Sequence, residues 1–178
     1  ATKRSLDSWC EKFEPATSLP KDVRRILYDA HLTGVLLDLY SADPPDLVYV
    51  RASLLSTAGA TLAAAIDRPL IVELNAPLGQ EQRTYRHGGL EAQYRAAEQA
   101  LLGAATAVVV VSSELVEHVV ELGVDAARVH VLENGIDPSR FHPGEGVRTT
   151  DAPVLGFVGG LRPWHGVELL PAILAEVR

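Results

Sequence analysis

At 178 residues, with 47% hydrophobic and 22% charged side chains, the chain has the composition of a soluble globular protein and the length for one well-buried core rather than two. A net charge of −7, with basic residues scattered along the chain, argues against nucleic acid as a partner, because nothing lines up to neutralise a row of phosphates. The longest apolar runs, such as Ala107 to Val111, fall far short of the roughly 18 residues that a membrane span requires.

The single cysteine, Cys10, has no internal partner for a disulfide, and no Cys/His spacing resembles a zinc site, so no metal is expected. Both points fit a reducing compartment and lead to the expectation of a cytoplasmic protein, either free or peripheral at the inner face of a membrane. The first twenty residues are polar and lack the apolar centre of a signal peptide. Arg outnumbers Lys and Ala is abundant, a composition that hints at a GC-rich bacterial gene.

After a polar start, Lys21 to Tyr40 reads as a helix with Val23, Ile26, Leu27, Ala30 and Leu37 near a common face, stopping before Asp43-Pro44-Pro45. Asp46 to Val50 is short and β-branched and predicts a buried strand. An Ala-rich helix over Leu54 to Ile66 follows, then a strand over Leu70 to Leu74 and a loop over Asn75 to Gly79. Helical spacing returns from Gln80 to Gly103, broken or kinked at Gly88-Gly89, since two adjacent glycines cost about 2 kcal/mol against alanine in a helix interior.

Ala107 to Val111 predicts a third strand, with Ser112 or Ser113 capping the helix that follows and Gly123 ending it. Arg128 to Leu132 is a fourth strand, running into Asn134-Gly135. The expected domain division is 1–137, a proline- and glycine-rich linker over 138–152, and a second domain from 153. There Val154 to Val158 reads as a strand, Gly159-Gly160 as a turn, and Gly166 to Val177 as a helix. Strands alternating with helices imply parallel pairing through right-handed crossovers, hence an α/β, doubly wound Rossmann-like sheet.

Ligands of such sheets sit at the carboxyl ends of the strands, which selects Arg51, Asn75, Ser112, Asn134 and Gly159. The Gly159-Gly160-Leu161-Arg162-Pro163-Trp164-His165-Gly166 turn either is a plain strand-to-helix connection or offers backbone amides to phosphate, with Arg162 and His165 as further donors. Glu73 and Asn75 alternate onto one face, away from Leu74. Asn75 either bonds sugar hydroxyls or caps the turn before Pro77.

Glu81, Arg83, Tyr85, Arg86 and His87 crowd the next segment, a mixture that suits a polar ligand or a solvated helix face. Glu114, Glu117 and His118 read as helix surface. His31 and His130 lack partners that would make them ligands, and Trp9 and Trp164 serve equally as packing residues. No paired loop carboxylates, Gly-x-Ser-x-Gly elbow or Walker loop is present, which disfavours hydrolases and P-loop enzymes.

The run Val131-Leu-Glu-Asn134-Gly135-Ile-Asp137-Pro138-Ser-Arg-Phe141-His-Pro143, followed by Leu155-Gly-Phe-Val-Gly159 and His165-Gly166, closely resembles glycosyltransferase family 4, of the GT-B fold. The resemblance extends back through Ala107 to Ser112 and Glu73 to Leu78 to Leu47-Val-Tyr-Val-Arg51. It implies an incomplete N-terminal acceptor domain over 1–137 and the start of a nucleotide-sugar domain over 153–178, with the Asn134-Gly135 loop leading into the interdomain crossover.

The same resemblance implies transfer from a nucleotide-diphosphate sugar to a small-molecule, lipid or glycan acceptor, with retention of configuration and without a metal or other cofactor. Arg51, Glu73, Asn75 and Ser112 would line the acceptor cleft, Asn75 at the position matching the family's sugar-site histidine and taken as catalytic. Gly159, Gly160, Arg162 and His165 would face the donor's diphosphate. The family's usual Arg and Lys clamp is replaced by Gly160 and His165, with Arg162 as the substitute donor. The resemblance also implies further strands on both sides of this segment, so the 178 residues are expected to be inactive alone. The competing expectation is a non-catalytic GT-B-like binding module that has lost its donor site.

Overall fold

The computed structural model describes residues 19–86, 88–142, 144, 146 and 154–176, with the side chains of Leu19 and Pro163 left out. The chain divides into two compact units, 1–134 and 135–178, which are taken in turn.

The first unit opens with helix α1 (Leu19–Tyr40), then β1 (Val48–Arg51), α2 (Ala58–Ala65) and β2 (Leu70–Leu74). Next come α3 (Leu78–Arg86), α4 (Glu91–Ala104), β3 (Ala107–Val110), α5 (Glu114–Glu121) and β4 (Val129–Val131). The four strands form one parallel sheet in the order β1-β2-β3-β4. Register pairs Val48 with Leu70, Val72 with Val108 and Val108 with Val129. The α/β parallel sheet expected from the alternation is the one that forms. Because strand order advances in one direction, right-handed crossovers carry α2, α4 and α5 past the same face.

Burial follows that geometry. Leu70, Val72, Leu74, Val108 and Val110 are fully buried and alternate with the half-buried Ile71, Glu73, Ala107 and Val109. The core joins these strand residues to Leu62, Leu101, Leu102, Leu115 and Val119 from the helices. At about 25 cal/mol per Å² of apolar surface removed from water, this one-sided layer supplies most of the favourable free energy of the unit.

Helix α1 is held differently. Asp29 is buried and accepts hydrogen bonds from Ser56 Oγ (2.6 Å), Thr57 N (2.9 Å), Thr57 Oγ1 (3.2 Å) and Ala58 N (3.2 Å), so it caps α2 from another helix. One heptad earlier, the fully buried Asp22 accepts from the Tyr94 hydroxyl and pairs with Arg25 at 2.6 Å.

The expected break at Gly88-Gly89 occurs, since α3 ends at Arg86 and α4 begins at Glu91. A Cβ at Gly88 would lie 2.7 Å from Tyr94 Cε2 and 2.8 Å from Gln82 Cγ, so the two helices close up only on a glycine. Gly123 takes φ +95°, the left-handed conformation that ends α5. Of the two serines expected to cap α5, Ser113 is helical, with φ −63° and ψ −29°, and makes no capping bond. His118 departs from the surface reading as well. Its side chain is 19% exposed, and Nε2 is buried 3.6 Å from Glu98 Oε1, because α5 turns this side onto α4.

In the second unit, residues 154–158 form no strand. Val154 is 80% and Val158 101% exposed, and a strand exists only when its N–H and C=O groups find a neighbouring ladder, which no described residue supplies. The expected helix over 166–177 is present in two pieces, a 3₁₀ turn at Val167–Leu169 and α6 (Leu170–Glu176). Of the residues singled out from sequence, Trp9, Cys10, His87 and Pro143 lie outside the described residues, as does part of the expected linker over 138–152.

Candidate functional site

Three adjacent strands deliver Arg51, Glu73, Asn75 and Ser112 to one rim of the sheet. Arg51 ends β1 and pairs in register with Glu73, while Asn75 and Ser112 follow the paired residues Leu74 and Val110. At about 4.8 Å between neighbouring strands, the three occupy a strip roughly 10 Å wide.

Glu73 is the hub. Its Oε2 accepts from the Tyr49 hydroxyl at 2.7 Å, and its Oε1 lies 3.7 Å from Arg51 Nε. The Tyr49 hydroxyl, then the Asn75 amide and the Arg51 charge, hold the Glu73 carboxyl below its ordinary value. The same bond, with desolvation and the nearby negative charge, pushes the Tyr49 phenol up. A carboxylate stabilised this way is a weak base and a good anchor for hydroxyl groups.

The Asn75 amide helps hold the Glu73 carboxyl low, and Asn75 Oδ1 is buried with no hydrogen-bond partner among the described residues. Ser112 acts instead on Glu114, whose carboxyl is held below its ordinary value chiefly by the Ser112 hydroxyl. Asn134 and Gly135 follow β4 and are exposed, on either side of the division between the two units. Tyr49 was not among the residues picked from sequence. The signal was present, because Tyr49 and Arg51 are two apart on one strand and must share a face.

The second unit gathers Gly159, Gly160, Arg162 and His165 into one exposed turn. Arg162 N donates to the Gly160 carbonyl at 2.9 Å, and His165 N to the Arg162 carbonyl at 2.9 Å. His165 Nδ1 lies 2.6 Å from the Gly160 carbonyl oxygen, so that nitrogen carries the proton and Nε2 is left for another partner. The ring stands edge-on to Trp164 at 5.9 Å. Arg162 lines an open depression with Leu161, Val167 and Glu168.

Among the described residues no three His, Cys, Asp or Glu side chains converge to hold a metal. No described helix is long and apolar enough to cross a membrane.

No curated protein matches the chain. A family model described as a glycosyl transferase 4-like domain matches residues 8–135, a span that holds the parallel sheet, its helices and the whole rim from Arg51 to Asn134. The chain therefore belongs to the glycosyl transferase 4-like domain family, and the parallel α/β unit is its glycosyltransferase domain.

Proposed function

We propose that this chain supplies the acceptor side of a glycosyltransferase that moves a sugar from a nucleotide-diphosphate donor to a hydroxyl acceptor with retention of configuration. The observation that carries the reading is the Tyr49–Glu73–Asn75–Arg51 cluster at the carboxyl rim of a parallel sheet, where such folds take their ligands. Glu73 and Asn75 would orient the acceptor hydroxyls, with Asn75 closest to the reacting centre, while Arg51 offers charge at the rim. Gly159, Gly160, Arg162 and His165 would present amides and side-chain donors to the diphosphate. Rate enhancement would then come from orientation and from stabilising charge on the leaving phosphate, with no metal or other cofactor.

The 178 residues alone are proposed to transfer no sugar, because residues 154–158 pair with no strand among the described residues and the turn after them is exposed. Titrating isotope-labelled protein with UDP-glucose, GDP-mannose and ADP-glucose tests the donor assignment: amide shifts are expected at Gly159 and Gly160. Titration with methyl glycosides tests the acceptor assignment at the Asn75 side-chain amide. If neither set of signals moves at millimolar ligand, the site assignment is wrong.

A second reading, a binding module without donor chemistry, draws on one specific observation. The positions of the family's usual Arg and Lys clamp are held by Gly160 and His165, and the acid Glu168 lines the same depression as Arg162. Acceptor shifts without donor shifts would select it.

A further inference from the structure

The side chain of Tyr49 has two separable parts, a hydroxyl and a ring. The hydroxyl donates to Glu73 Oε2 at 2.7 Å, although the register of the parallel ladder pairs Tyr49 with Ile71 and sets Arg51 opposite Glu73. The side chain therefore leans one step up the ladder, toward the carboxyl rim. That bond holds one end of the ring, yet Tyr49 stays 54% exposed, so the ring itself remains open to a ligand. A single exposed tyrosine is ordinary on any surface. This one stands against planar polar groups: the Glu73 side chain is sunk to 22% exposure, and Arg51, at 71%, brings its Nε to 3.7 Å from Glu73 Oε1.

We propose that the Tyr49 ring is a stacking platform for a pyranose ring of the acceptor, a step that rests on the glycosyltransferase reading and makes the acceptor itself a sugar. A pyranose has the two surfaces that this corner matches, a face of C–H groups that packs on an aromatic ring and an edge of hydroxyls. Those hydroxyls donate to a carboxylate and accept from a guanidinium. An alkyl chain would use the ring but strip water from Glu73 and Arg51 without replacing its hydrogen bonds. A small acyclic polyol would serve the two charged groups and leave the ring bare. Because the bond to Glu73 already holds the ring, little side-chain freedom is lost when a sugar settles on it.

The test is a titration of the isotope-labelled 178-residue chain with methyl α-D-glucopyranoside, methyl α-D-mannopyranoside, uridine and glycerol, read at the Tyr49 ring and at the Asn75 side-chain amide. Saturable shifts of both signals are expected with at least one glycoside, whose own C–H protons should move upfield, and none with glycerol. Tyr49→Ala should weaken that binding about five- to tenfold, whereas Tyr49→Phe, which keeps the ring and loses the bond to Glu73, should weaken it less than about threefold. Unchanged backbone amide signals at Val72 and Val108 check that both variants keep the sheet. Equal losses in the two variants would mean that Tyr49 only positions Glu73, and would overturn the proposal. Asn75 shifts with a silent Tyr49 ring would overturn the platform and leave the acceptor site standing, while silence at both would overturn the two together. Larger shifts with uridine than with either glycoside would overturn the choice of a sugar.

Discussion

Residues 70–75 and residues 154–160 are written in nearly the same style, five mostly apolar residues ending in a small polar or glycine turn that leads to a helix. In the first unit the run becomes β2, with β1 on one side and β3 on the other, and Leu70, Val72 and Leu74 are buried to 1% or less. In the second unit the run pairs with nothing among the described residues, and Val158 is 101% exposed. The contrast teaches that an apolar β-branched run states a preference, while the strand itself is made by its neighbours.

The largest effect that would sharpen this comparison is Leu74→Ala, at the fully buried carboxyl end of β2. It should cost about 3–4 kcal/mol by denaturant unfolding, from lost transfer energy plus a cavity. Asp29→Ala comes next, at about 2–3 kcal/mol, because it strands the Thr57 and Ala58 amides that the carboxylate now satisfies. Hydrogen exchange at those two amides should accelerate in step.

A smaller effect is the pH dependence of the rim. The Glu73 carboxyl sits below its ordinary value in the folded chain, so its contribution is present above the ordinary carboxylate range and is lost as pH falls through the lowered value. The Tyr49 phenol is raised, so its share is present below the ordinary phenol value and is lost only as pH rises through the raised one. Tyr49→Phe should therefore flatten the acid limb of the unfolding midpoint plotted against pH. An unchanged limb would show that the bond is not formed in solution. The smallest effect is Val158→Ala, which should change stability by no more than about 0.5 kcal/mol. A loss as large as that of Leu74→Ala would break the comparison outright.

Strand β2 was legible to the residue, as was the break between α3 and α4, because alternation, punctuation and paired glycines are local signals. The rim was legible too, since a parallel sheet places its strand ends together whatever the side chains are. What sequence could not supply was nonlocal. Nothing near Asp29 announces that it caps a helix some thirty residues on, and nothing near His118 announces Glu98 as its buried neighbour. Val154 to Val158 failed for the same reason in reverse, since the local pattern was sound and no described residue pairs with it.

The sequential strand order has a consequence for how the chain acquires its shape. Val48 waits for Leu70, Val72 for Val108, and Val108 for Val129, so every pairing closes within about forty residues and none needs a distant segment to arrive first. A ribosome releasing this polypeptide could lay each strand against its predecessor as it emerges, an assembly by accretion in which early intermediates are correct fragments of the finished layer.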